Sequence, residues 1–281
     1  MDPDPEGSFT STSTFKTTVL TVAFSTFYFY KTGNQEISLT SNLQAAKPII
    51  TADVKEKPAA RKKKVIYLTF DDGPNKGTRN VMRILQQERV NATLFVVGEH
   101  VYGSHAQRSI YDSASRETLF EIANHSFTHA SHNRFRQFYT LPDSVVKDFA
   151  RCADSLKLRS NIIRTPGRNI WSTTKIRSID ISSSTMATDS LYRYGYKAVG
   201  WDLEWHFDAE LHLVQTTEKM IAEVDSAFVK QQTKTPGHLV LLAHDQVFAS
   251  AADSTSLHRF ITELKKNEEY EFEKISSYPG L

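Results

Sequence analysis

Asp71 and Asp72 stand side by side in this chain, and His125 and His129 stand four residues apart. Two adjacent ionised carboxylates repel, a cost that a cation or a proton between them removes. The aspartates close the run Val65-Ile66-Tyr67-Leu68-Thr69-Phe70, which reads as a buried strand stopped by Gly73-Pro74. They therefore sit at a strand's carboxyl end, where α/β folds place their chemistry. Alternation along a strand points neighbours to opposite faces, so the two are expected to have different jobs. The bland alternative is that one caps the next helix and the other is solvated. On one helical turn His125 and His129 would share a face and could bind one metal ion. His132 is a competing partner, and in a chain with ten histidines such spacings also arise by chance.

The elements that must position these groups follow a βα alternation. A helix is expected from Thr78 to Arg89, a strand over Ala92–Val97, and a short helix near Ser115 to Phe120 leading into Glu121-Ile122-Ala123-Asn124. A helix over Asp143 to Leu156 places Val145, Val146, Phe149, Cys152 and Leu156 on one face. Then come a strand at Asn161–Arg164, a helix near Met186 to Arg193, a strand over Tyr196–Asp202 and a helix from Thr217 to Val229. The strand His238–Asp245, a helix through Leu257 and Leu264, and a strand from Tyr270 to Ile275 close the chain. This pattern predicts a parallel barrel or doubly wound sheet. Its strands end in ionisable groups: Asp71 and Asp72, His125, Arg164, Asp202 and Glu204, then His244 and Asp245. Such a ring at one end is expected of a barrel active site.

At 281 residues the chain can bury a full core. A net charge of +2 gives no reason to expect a polyanion partner, so no nucleic acid is expected. The single cysteine, Cys152, excludes an internal disulfide and a cysteine metal cluster, leaving imidazole as the expected transition-metal ligand. Residues 1–63 read as a leader and linker. Within them, Lys16 precedes an apolar run to Tyr30 of signal-peptide length, an export signal or membrane anchor without a clear cleavage site. Export to the periplasm, cell surface or medium is expected from it. The catalytic domain is expected over residues 64–281.

Four segments occur in an order that resembles the polysaccharide deacetylase family, the NodB homology domain of carbohydrate esterase family 4. They are Thr69-Phe70-Asp71-Asp72-Gly73-Pro74, His125-Ser126-Phe127-Thr128-His129, Arg164-Thr165-Pro166 and Leu242-Ala243-His244. The resemblance covers about residues 64 to 277. It implies a distorted, incomplete (β/α) barrel of the seven-stranded, TIM-barrel-like type, and a metal-dependent hydrolase removing acetyl groups from N- or O-acetylated carbohydrate polymers. By the same resemblance Asp72, His125 and His129 hold one divalent ion, most often Zn2+, and Asp71 is the general base. His244 is then the acid, Gly167 supplies a backbone N–H to the oxyanion, and Leu242 lines the acetyl pocket. Arg164 orients Asp71, paired in turn with Asp202 or Glu204, Glu204 being favoured together with Trp205. The family places an aromatic after Arg-x-Pro where this chain has Gly167, so Trp171 is expected to rebuild the sugar-facing wall. Tyr192, Tyr194, Trp201 and Trp205 are further candidates for stacking on sugar rings. The partner expected is an acetylated glycan. A cyclic amide or imide hydrolase of related fold and an inactive glycan-binding module are the competing readings.

Overall fold

The computed structural model describes residues 63–281. The expected leader, apolar run and most of the linker lie outside the described residues. Among the described residues no helix is long and apolar enough to cross a membrane.

The fold is built around β1 (Lys64–Gly73). Its alternate residues face two different cores. Ile66, Leu68 and Phe70 pack outward with Leu241 and Phe260, whereas Tyr67 packs inward with Phe95, Val199 and Val240. A strand buried on both faces has no polar alternation, which is why this stretch reads as one apolar run. Following Tyr67, Thr69 and Asp71 continue the inward face.

After β1 the chain runs through α1 (Thr78–Glu88), β2 (Ala92–Val96), α2 (Gly98–Tyr102), α3 (His105–Ala114) and β3 (Phe120–Asn124). Next come a five-residue turn, α4 (His129–Asn133), one turn of helix, α5 (Phe135–Phe138), the long α6 (Pro142–Leu156) and β4 (Ile162–Ile163). An antiparallel hairpin, β5 (Ile170–Ser172) with β6 (Arg177–Ile179), precedes α7 (Thr185–Arg193), β7 (Lys197–Ala198) and β8 (Leu203–Glu204). The last elements are α8 (Thr217–Val229), β9 (His238–His244), α9 (Ala251–Lys265) and β10 (Tyr270–Phe272). One sheet runs in the order β6-β5-β7-β4-β3-β2-β1-β9-β8, with β10 beside the start of β1. All of its pairings are parallel except those made by β5. This is the incomplete (β/α) barrel expected, with a hairpin added at one edge.

Two expected elements are corrected. The helix placed near Ser115 to Phe120 lies earlier, as α3, because Ser104 caps it by accepting the Gln107 N–H and Ile110, Tyr111 and Ala114 form its buried face. The strand expected over 196–202 shrinks to Lys197–Ala198. The Val199 and Gly200 carbonyls turn away from any strand partner and accept hydrogen bonds from Arg164.

The outer core sets the stability of this framework. Phe260 is fully buried and packs against Trp205 with ring centroids 4.9 Å apart. Phe260→Ala is expected to cost about 3–5 kcal/mol in denaturant unfolding; a loss below about 1 kcal/mol would mean that the surroundings collapse to fill the space.

Candidate active site

Asp71 and Asp72 reach one cavity because β1 is bulged. The register with β2 passes from Asp71 opposite Phe95 to Gly73 opposite Val96, leaving Asp72 as the extra residue, with φ of 74°. A bulge re-aims a side chain. The expected opposite facing of the pair is therefore overturned, and both carboxylates line a cavity of about 290 Å3. Beneath this turn Asp245 accepts hydrogen bonds from Thr78 Oγ1 (2.5 Å) and from the Asn75 side-chain amide. A Cβ at Gly73 would stand 2.5 Å from Asp245 Oδ2, so the glycine lets strand and carboxylate approach. Burial pushes the Asp245 carboxyl up to about 7 against the bonds from Thr78 and Asn75, and the charges of Asp72 and Asp71 add to the rise.

The two histidines do not share a helical turn, as their spacing implied. His125 follows the end of β3, and the chain then reverses at Ser126, whose φ is 65°. The reversal is tied down by α6. The Asp148 carboxylate accepts the N–H groups of Phe127 and Thr128 and the Thr128 hydroxyl. From His129 to Asn133 every φ is positive, making a left-handed turn built without glycine. Left-handed geometry costs L-residues roughly 1–2 kcal/mol each, and such strain concentrates at functional sites. Thr128 Oγ1 holds the turn by accepting the Ser131 N–H.

The result is that His125 and His129 point the same nitrogen at one atom. His125 Nδ1 donates to the Arg164 carbonyl (2.9 Å) and His129 Nδ1 to Asn133 Oδ1, which leaves the lone pair of each ring on Nε2. Those Nε2 atoms lie 3.4 and 3.1 Å from Asp72 Oδ1. Asp72 Oδ1 is buried and makes no hydrogen bond among the described residues. Three ligand atoms within 4.8 Å of one another, two imidazole nitrogens and one carboxylate oxygen, fit a small divalent cation. Burial pushes the Asp72 carboxyl up, but the facing imidazoles outweigh it and hold the group well below the ordinary carboxylate range. His132, the competing partner, is exposed and pairs with Glu99 at 2.9 Å.

Arg164 is completely buried. It donates to Asp71 Oδ1 (2.9 Å), Thr69 Oγ1 (2.6 Å) and the carbonyls of Val199 (3.1 Å) and Gly200 (2.9 Å), above the Phe95 ring. Burial lowers its pKa while Asp71 raises it. The expected pairing of Arg164 with Asp202 or Glu204 is not made, because backbone carbonyls fill the rest of its fork. Asp202 instead accepts the N–H groups of Lys234 and Val240, both at 2.8 Å, and burial pushes its carboxyl up to about 6. Glu204 lines the cavity and stands 3.5 Å from His206 Nδ1. The other oxygen of Asp71, Oδ2, lies 3.7 Å from His125 Nε2.

Leu242 and His244 project into the cavity from the inward face of β9, and His244 is in register with Asp71 on the adjacent strand. His244 Nδ1 is buried without a hydrogen-bond partner among the described residues. Gly167 also lines the cavity, at φ of 63°. The two tryptophans expected at the wall are elsewhere, and both are corrected. Trp171 on β5 is buried against Tyr278, and Trp205 is buried with its indole N–H on the Gln215 carbonyl. Tyr192 and Tyr194 are exposed on and beside α7, away from the cavity. Phe135 and Trp201 form the aromatic wall instead, with Asp180 at its edge. A Cβ at Gly167 would meet the Phe135 ring at 2.9 Å. Phe135 thus occupies the space into which an aromatic after Pro166 would project. Its sequence signal was an isolated aromatic in the polar stretch Asn133 to Gln137.

Residues 59–177 match the family model described as polysaccharide deacetylase. The chain is 42% identical over 65 residues to a chitooligosaccharide deacetylase of Rhizobium leguminosarum bv. phaseoli, covering 23% of this chain and 27% of that protein. It is 37% identical over 71 residues to a peptidoglycan-N-acetylglucosamine deacetylase of Bacillus cereus, covering 25% and 24%. The chain thus spans about a quarter of the length of these curated relatives. In fold it is similar to the catalytic domain of peptidoglycan N-acetylglucosamine deacetylase from Eubacterium rectale. The TM-score is 0.55 at 24% identity, covering 78% of this chain and 91% of that one.

Proposed function

We propose, from the premise that this chain belongs to the polysaccharide deacetylase family, that it hydrolyses acetyl groups on an N-acetylated carbohydrate polymer with a divalent metal, zinc being the ion its ligands suit best. The observation that carries this reading is the convergence of Asp72 Oδ1, His125 Nε2 and His129 Nε2 on one point beside Asp71. A divalent ion held there would polarise the acetyl carbonyl and bring the pKa of water from about 15.7 towards 7.

The chain's own groups divide the remaining work. Asp71 is fixed through Oδ1 by Arg164, which leaves Oδ2 to take the proton of the attacking water. The buried Arg164 holds the Asp71 carboxylate in place. Gly167, whose N–H bonds to none of the described residues, offers a donor to the oxygen that gains charge. Tyr139 anchors that loop by donating to the Pro166 carbonyl at 2.8 Å. As the carbon–nitrogen bond breaks, His244 delivers a proton to the departing amine, so that acetate and a free amine result. Leu242 packs beside the methyl group, and Phe135 and Trp201 offer ring faces to the sugar. The proposed catalytic domain is residues 64–281, and action outside the cytoplasm, on wall or dietary glycan, belongs to the same proposal.

The test is acetate release from chito-oligosaccharides, peptidoglycan and acetylxylan. Activity is expected with the zinc-loaded protein, to vanish on chelation and to return when zinc is restored. Activity undiminished by full chelation would contradict the metal-dependent reading.

A further inference from the structure

A second groove, of about 490 Å3, adjoins the catalytic cavity and shares Phe135 with it. Arg134, Arg136 and Arg168 line it. None of the three forms an ion pair among the described residues, although carboxylates are as common in this chain as cations. Their geometry is partly fixed by neutral groups. Arg168 donates to the Gly167 carbonyl at 2.7 Å and to Ser184 Oγ at 3.3 Å, and its guanidinium lies 5.3 Å from the Tyr139 ring centroid. Arg134 donates to the Ser131 carbonyl at 3.1 Å. Arg136 makes no bond to the described residues and is exposed. On the cavity side the charge has the opposite sign. Asp180 and Glu204 line that wall, and Asp180 is turned to the backbone N–H groups of Asn169 and Ile181 rather than to Arg168.

Adjacent cations without acid partners repel one another and are tolerated where an anion is to be bound. Guanidinium groups suit carboxylates because their planar fork matches two oxygens. An uncharged acetyl amide suits the cavity, and a negative group suits the adjoining groove. We propose that the substrate glycan carries a carboxylate on a sugar neighbouring the acetylated one, and that Arg134, Arg136 and Arg168 select it. This rests on the deacetylase reading for the placement of the reacting acetyl group.

The experiment uses the zinc-loaded full chain and a tetrasaccharide of alternating N-acetylglucosamine and N-acetylmuramic acid, as the free acid and as its carboxyl methyl ester. Calorimetric binding should favour the free acid about tenfold. That preference should fall at least about threefold in Arg134→Gln/Arg136→Gln, which leaves Arg168 alone in the groove, with ester affinity unchanged, and should shrink in 0.5 M salt as screening shortens to about 4 Å. Equal affinity for acid and ester, a preference undiminished by the double substitution, or no binding of either would overturn the proposal. Acetate release from the same ester is read separately. An ester that binds without releasing acetate would count against the deacetylase reading while leaving the charge preference standing.

Discussion

Asp72→Ala is expected to lose bound zinc and acetate release together. Its Oδ1 is the only carboxylate oxygen in the three-atom ligand set. The substitution leaves two neutral imidazoles, too few to hold a divalent ion in competition with water. Removing even an outer partner of a metal ligand costs about 10–100-fold in affinity, and a direct ligand costs more. Turnover should fall more than about 10³-fold, because without the ion the water's pKa returns towards about 15.7. Zinc content of the dialysed variant and acetate release, measured on one sample, check this. A variant that keeps one equivalent of zinc and normal turnover would place the ion elsewhere.

Asp71→Asn is expected to separate the two properties. Asp71 stands outside the three-atom set, and its Oδ1 is engaged by Arg164. Asparagine preserves the shape and can still accept the Arg164 hydrogen bond, but it cannot take a proton. Zinc content should stay at one equivalent while kcat falls by about 10²–10⁴, the usual worth of a general base. The same change leaves the buried Arg164 cation without its counter-charge, which costs about 3–5 kcal/mol when one partner of such a pair is removed. Turnover is therefore referred to the zinc-loaded, folded fraction. Normal kcat in that fraction would remove Asp71 from the base role.

What was legible in the sequence, and what was not, follows the range of the forces involved. β1 and β9 stood out because both their faces are covered, so their interiors are apolar apart from Thr69. The groups at their ends, Asp71, Asp72 and His244, then had to lie at one rim of the sheet. The order of four short motifs carried the gathering of His125, His129, Gly167 and Leu242 around the same cavity. Local backbone departures were not legible. Strand alternation separates Asp71 from Asp72, and only the bulge at Asp72 reunites them. The helical spacing of His125 and His129 was a false guide, since a left-handed turn from His129 to Asn133 brings the rings together. The aromatic wall was misassigned for a different reason. Trp171 and Trp205 are large enough to be core or surface, and nothing local says which. Their burial is decided by Tyr278 and Phe260, more than 50 residues further along the chain. Arg164 shows the same limit. Its partners Val199 and Gly200 are backbone carbonyls, which carry no signature in side-chain sequence.

The most direct measurement is anomalous diffraction at the zinc edge from crystals of the zinc-loaded protein. One peak is predicted within about 2.0–2.2 Å of Asp72 Oδ1, His125 Nε2 and His129 Nε2, with Asp71 beside it and not bound to it. Catalytically active crystals with no peak at that point, or with the ion held by other residues, would contradict the account.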